Sequence, residues 1–215
     1  MSEFFAQVIK SSGDILRAVG QHAAISAVAI TLGIIVAVPC GIMLTRHKKA
    51  ADTVLGIFGV VNTIPSIVLL GVAMIVFGLG FAPAAAVLFI YSLLPIMRAT
   101  YTGISGLNPK YLKAARGMGM SDMQILRSVQ LPLAAPAILT GIRLSSIYII
   151  SWATLAAFIG AGGLGDLIWM GLLSYSFNLM LCGAIPATLM SLLVSALLTK
   201  AVKLSSRHKT EEASV

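Results

Sequence analysis

Lys113, Ala114, Ala115, Gly117 and Gly119, followed by Val129, Leu131 and Pro132, are the residues whose types and spacing say most about this chain. They form no catalytic set and no metal-ligand cluster, so the work open to them is mechanical. They sit in a polar, basic stretch between long uncharged runs, a composition suited to gripping a soluble partner. Asn108-Pro109 predicts a helix start, with Asn as the N-cap and Pro in the first turn. That helix should end at Gly117 or Gly119, where glycine accepts a left-handed cap. Ser121 with Gln124 three residues on reads as a capping box opening a second helix, expected to stop at Leu131-Pro132. The product is a helix–turn–helix elbow showing Met118, Met120 and Met123, whose pliant side chains suit an adaptable docking groove.

Other residues that could do chemistry are sparse. Asn62-Thr63-Ile64-Pro65-Ser66 places a proline inside an apolar run, freeing a carbonyl that must find another donor. Pro65 with Asn62 and Ser66 therefore reads either as a packed kink or as part of a pathway lining. Pro95 and Pro186 repeat the device. Gly160-Ala161-Gly162-Gly163-Leu164-Gly165 formally matches a dinucleotide fingerprint, but no strand precedes it and no acidic residue lies between Asp166 and Glu211. A flexible turn is the expected form. The chain has no GxxxxGK[ST] phosphate loop, so it cannot hydrolyse nucleotide by that route. Arg143 and Asp166 are expected at the ends of apolar runs, and no carboxylate or histidine relay for an ion-coupled pump is expected inside one.

The elements that must position these residues follow from composition. Hydrophobic residues make up 58% of the chain and charged residues 10%, against roughly 45–50% and 25% in soluble domains. The uncharged runs Ala18–Thr45, Thr53–Met97, Leu144–Gly165 and Leu167–Thr199 carry the excess. A bilayer core needs about 20 apolar residues per helix, and Gly78-Leu79-Gly80-Phe81-Ala82-Pro83 divides the second run, so five spans are expected. The last lies near Asn178–Thr199 behind a glycine-rich loop. Small residues, namely Gly56, Gly59, Gly71, Ala84–Ala86, Ala153, Ala156 and Ala157, suit close helix approach.

Charge supplies the orientation. Arg46, Lys48 and Lys49 follow the first span; Arg98, Lys110, Lys113, Arg116, Arg127 and Arg143 separate the third from the fourth; Lys200, Lys203, Arg207 and Lys209 follow the fifth. Basic loops stay cytoplasmic, and an odd span count puts the N-terminus outside and the C-terminus inside. The net charge of +8 is thereby a matter of topology and lipid contact and calls for no nucleic acid. Residues 1–20 are broken by Glu3, Lys10, Asp14 and Arg17 and do not read as a signal peptide. They predict two short interfacial helices around Ser11-Ser12-Gly13. Cys40 and Cys182 lie within spans and suggest neither a disulfide framework nor a metal site. The divisions are an external interfacial segment 1–20, a membrane domain 21–200 with a cytoplasmic loop 98–137, and a cytoplasmic tail 201–215.

The spacing of Ala114-Ala115, Gly119 and Leu131-Pro132 resembles the "EAA…G…I-x-L-P" signature of permease subunits of bacterial ABC importers. Lys113 stands where that pattern has Glu, and Val129 where it has Ile. Asn62–Ser66, Tyr91–Arg98, Gly117–Met120 and Trp152–Gly165 are similar to permeases of the osmoprotectant branch, which import glycine betaine, choline, carnitine and proline betaine. The resemblance implies an all-α membrane protein of the type I ABC importer permease fold, in the bacterial cell (inner) membrane. It implies two permease subunits over two cytoplasmic ATPase subunits, with an extracellular or periplasmic solute-binding protein above. ATP and Mg would be held by the ATPase, and no cofactor by this chain. The elbow would seat in the ATPase, and Tyr91, Tyr148 and Trp152 could meet a quaternary ammonium solute through cation–π attraction. An importer of an amino acid such as methionine, and an ion-coupled secondary carrier, are the competing readings.

Overall fold

The computed structural model describes the backbone of residues 7–212 and the side chains of residues 7–206. Residues 1–6, part of the segment expected to form the interfacial helices, lie outside the described residues. Nine α-helices of four residues or more follow Ser11: α1 (Ser12–Leu44), α2 (Lys48–Thr63), α3 (Ser66–Phe77), α4 (Phe81–Ser105), α5 (Pro109–Gly117), α6 (Asp122–Ile125), α7 (Leu131–Ala153), α8 (Leu164–Leu173) and α9 (Phe177–Glu212). Four are long and apolar enough to cross a membrane, counting α6 and α7 as one continuous helix, and the bent pair α2–α3 makes a fifth. Five spans therefore stand, with several boundaries moved.

The first correction is at the N-terminus. Ser11 N–H donates to the Gln7 carbonyl and Ile15 N–H to the Ser11 carbonyl, both at 2.9 Å. Helical bonding thus continues through Ser11-Ser12-Gly13, and Ile15, Leu16 and Val19 belong to α1. At 33 residues that helix is roughly 50 Å long, well beyond the ~30 Å hydrocarbon core.

The second correction concerns Pro65. Instead of kinking one span, Ile64-Pro65 separates two helices set at 90° to each other. Ile64 takes an extended ψ of 130°, as sterics before proline demand. The third concerns Pro132, which was expected to stop a helix. Leu126–Gln130 is a π-helical turn leading straight into α7, and Pro132 lies in the first turn of α7. A pyrrolidine ring clashes with the carbonyl four residues back in a regular helix; the wider turn gives it room. Arg143 consequently lies midway along α7, not at a span end. The glycine-rich segment ends in α8, a ten-residue apolar helix that the sequence reading took for loop. Finally, α9 runs through residue 200 to Glu212, so the membrane domain and the tail share one helix.

Packing orders the bundle. α1 lies on α4, α4 on α7, and α7 on α9. Ile25, Leu88, Tyr91, Ile149 and Ile159 form the middle of the main core. The glycines that matter are not those chosen from sequence: a Cβ at Gly56 or Gly71 would meet nothing within 4 Å, and one at Gly59 only an Arg98 guanidinium nitrogen at 4.0 Å. At Gly41, Gly103 and Gly141 it would collide with a facing helix. Ala84, Ala85, Ala153 and Ala156 are buried as expected, whereas Ala157 is half-buried and Ala86 exposed. Ser145 Oγ stitches α7 to α4 by donating to the Ser92 carbonyl (3.2 Å), while Ser92 Oγ donates to the Phe89 carbonyl of its own helix (2.6 Å) and lies 3.3 Å from the Ala29 carbonyl.

Candidate functional sites: the elbow and the aromatic cluster

The elbow forms from its local chemistry. Asn108 Oδ1 accepts from Lys110 N–H at 3.0 Å, and Pro109 occupies the first turn of α5. At the far end Gly119 has φ +79°. Its N–H donates to the Arg116 carbonyl at 3.0 Å, and Met120 N–H to the Ala115 carbonyl at 3.2 Å. That pair of bonds is the Schellman closure. Only glycine adopts the required left-handed backbone at little cost. Ser121 and Gln124 complete the reciprocal capping box: Gln124 N–H donates to Ser121 Oγ (3.4 Å) and Ser121 N–H to Gln124 Oε1 (2.8 Å).

The motif residues divide by face. Ala115 and Ile125 are buried, holding α5 and α6 against the bundle. Lys113, Ala114, Gly117, Gly119 and Pro132 are exposed, while Val129 and Leu131 are half-buried. Met118 (74% exposed) and Met123 (50%) project outward, and Met120 is half-buried. The outer face is thus an apolar and basic surface on a firmly capped frame.

Toward the other end of the bundle, three aromatic residues singled out from sequence meet. Tyr148 and Trp152 are one helical turn apart on α7, their ring centroids 5.4 Å apart and interplanar angle 24°. Tyr91 comes from α4, its ring 4.8 Å from Trp152 and tilted by 60°. Its hydroxyl donates to the Ile64 carbonyl at 2.6 Å, the group orphaned where the helix breaks before Pro65. Tyr91 is buried, whereas Tyr148 is 41% exposed. Asn62 turns back on its own helix, donating to the Phe58 carbonyl at 3.2 Å. Pro65 is exposed and Ser66 half-buried beside the break. Aromatic cluster and helix break thus form one unit, to which Asn62 contributes no bond.

Sequence reading missed His22. It falls within the uncharged run Ala18–Thr45, yet it is a fully buried imidazole in α1. Its Nε2 lies 2.9 Å from the Ile150 carbonyl, which is free because Thr154 N–H turns to Ser151 as the helix tightens into the 3₁₀ turn Leu155–Ile159. A carbonyl only accepts, so Nε2 carries the proton. The neighbouring Gln21 Oε1 accepts from Gly163 N–H at 3.1 Å. The first contact pins α1 to α7 and the second pins it to the glycine loop, in which Gly160, Gly162 and Gly163 all have positive φ. The expectation of no intramembrane histidine is therefore corrected; among the described residues, no carboxylate lies midway along a spanning helix. Cys40 and Cys182 are unbridged, and the described residues hold no group of three metal-ligating side chains.

Residues 29–210 match the model of the family described as the binding-protein-dependent transport system inner membrane component. The chain belongs to that family. It is a transporter component of the inner membrane. The chain is 46% identical over 191 residues to the choline transport system permease protein OpuBB of Bacillus subtilis, covering 89% of this chain and 88% of that one. It is 48% identical over 180 residues to the carnitine transport permease protein OpuCB of Listeria monocytogenes, covering 84% and 83%. It is 38% identical to the osmoprotectant import permease protein OsmW of Salmonella typhimurium, covering 89% and 91%. Among solved structures, an inward-facing MetNI methionine ABC transporter matches with TM-score 0.81 at 24% identity, covering 91% of this chain and 98% of that one. At that identity the match shows the fold alone, that of a type I ABC importer permease.

Proposed function

We propose that this chain is the permease subunit of an ATP-driven importer for a quaternary ammonium osmoprotectant such as choline, carnitine or glycine betaine. The observation that carries the solute class is the identity of 45–48% to permeases named for those solutes. The methionine alternative has only a fold likeness in its favour. In this reading the chain binds no cofactor, and ATP and Mg belong to a cytoplasmic ATPase subunit. A second permease subunit, identical or homologous, completes the pathway, and a solute-binding protein delivers from outside.

The elbow, with its exposed Lys113–Gly119 turn, is the surface for the ATPase, and closure of the ATPase dimer would be felt as displacement of α5–α6. Lys113 presents a cation at that contact. The N-terminus lies outside and the C-terminus inside, because Arg46, Lys48, Lys49 and the elbow's basic residues share one end of the bundle. Tyr148 and Trp152 line the passage with Tyr91 buried behind Trp152, and their electron-rich ring faces attract a cation that carries no hydrogen-bond donors. Asn62, Pro65 and Ser66 mark the joint at which the pathway wall bends. The test is solute competition in the reconstituted complex: unlabelled choline, carnitine or glycine betaine should suppress uptake, and methionine should not. Suppression by methionine alone would overturn the assignment.

A further inference from the structure

A cavity of about 270 Å³ opens on the inner side of the elbow, between the end of α1 and helices α5 and α6. Arg46 and Arg116 both line it, together with Thr45, Gln130 and a single carboxylate, Asp122. Two guanidiniums against one carboxylate leave the wall net positive, and the hydroxyl and amide add neutral hydrogen-bonding groups. Neither arginine is among the residues that carry the family resemblance; Arg46 lies outside the elbow, and Arg116 lies within its exposed Lys113–Gly119 turn.

Directly beside this cavity is a second, mostly apolar one, of about 410 Å³, lined by Pro39, Met43 and Met123, with His47 also in its wall. Ile42, Arg46 and Leu126 line both. A basic, polar chamber therefore adjoins an apolar one at the end of a spanning helix, where a membrane surface must lie. Met43 is exposed, as is Met123. A free phosphate or a nucleotide would use the first chamber alone and leave the second unexplained. A molecule with an anionic head and an acyl chain uses both.

We infer that the paired cavities form a site for one anionic phospholipid. Its phosphodiester is held between Arg46 and Arg116, since guanidinium groups offer paired donors to phosphate oxygens. Its acyl chain lies along Pro39, Met43 and Met123. Basic pockets between transmembrane helices at the cytoplasmic side are a recognised form of lipid-headgroup recognition. The bound lipid joins the end of α1 to the elbow, because Arg46 and Pro39 lie at the first and Arg116 and Met123 on the second.

The whole complex, reconstituted in phosphatidylcholine vesicles, tests this with phosphatidylglycerol carrying a photoactivatable diazirine near the head end of one acyl chain. After illumination, labelled peptides should contain Pro39–Met43 and Met123. The Arg46→Gln/Arg116→Gln pair should reduce labelling there by at least about tenfold, as expected for loss of charge-assisted contacts. Labelling of the α9 surface should be unchanged, which shows that the variant is folded and inserted. The charge-conserving pair Arg46→Lys/Arg116→Lys should keep much of the signal. An excess of inorganic phosphate should leave it intact. Equal labelling by the phosphatidylcholine analogue, or no loss in the Gln pair, would overturn the site. Full competition by inorganic phosphate would reduce it to an anion pocket and overturn the lipid assignment.

Discussion

The Tyr91 hydroxyl donates to the Ile64 carbonyl across 2.6 Å, joining an aromatic residue of α4 to the point where α2 and α3 meet at 90°. A carbonyl left between two helices at a break in an apolar setting is costly unless a donor reaches it, and here the donor is also a wall of the aromatic cluster. Shape at the break and placement of the rings are thereby coupled.

Removing that donor should be felt in stability. Tyr91→Phe retains the ring beside Trp152 but leaves the carbonyl unpaired, a loss of about 1–3 kcal/mol. Thermal unfolding of the purified complex should show a lowered midpoint for the variant. An unchanged midpoint would mean that the bond does not hold the break.

Gly119 separates two effects. A Cβ there would meet nothing within 4 Å, so Gly119→Ala has only the left-handed backbone against it, about 1–2 kcal/mol. Its elbow should be loosened, and ATPase co-purification weakened but not lost. Gly119→Arg adds a long side chain on the outer face and should abolish co-purification while the permease remains in the membrane. Normal assembly and transport by the arginine variant would remove the elbow as the ATPase contact.

Gly141 and Gly71 make a matched pair. At Gly141 a Cβ would press on Ala99 and on the Pro95 carbonyl, 2.9 Å away. Gly141→Ala should therefore destabilise by about 1–3 kcal/mol through overpacking. Gly71 has open space, and its alanine variant should be neutral or slightly stabilising, since alanine favours helix by up to about 1 kcal/mol. Equal thermal midpoints for the two variants would contradict the α4–α7 packing described.

Topology can be read by accessibility. Tyr175, 97% exposed, lies at the tip of the α8–α9 hairpin, and Lys110 is exposed on the elbow. In a background lacking Cys40 and Cys182, Tyr175→Cys should react with an impermeant thiol reagent in intact cells. Lys110→Cys should react only after permeabilisation. The reverse pattern would invert the orientation.

What could be read from sequence was local. The N-cap at Asn108, the capping box at Ser121–Gln124 and the left-handed turn at Gly119 each depend on a few adjacent residues, and each formed. Tyr148 and Trp152 were likewise readable, because four residues on a helix share a face. Features that depend on the partner surface were not readable. Gly56 and Gly71 are compositionally identical to Gly41 and Gly141, and only the facing helix distinguishes them. His22 looked like core because its acceptor, the Ile150 carbonyl, is 128 residues away. Pro132 was expected to end a helix, but the π turn ahead of it relieves the clash on which that rule rests.

Reconstitution tests ATP-driven uptake of a quaternary ammonium solute through this chain most directly. Proteoliposomes containing the chain, any homologous second permease, its ATPase and its binding protein should accumulate labelled choline, carnitine or glycine betaine when ATP is supplied. Accumulation should persist when ion gradients are collapsed and stop when the ATPase subunit is omitted. Uptake by this chain without the ATPase, driven by a proton or sodium gradient, would contradict the account.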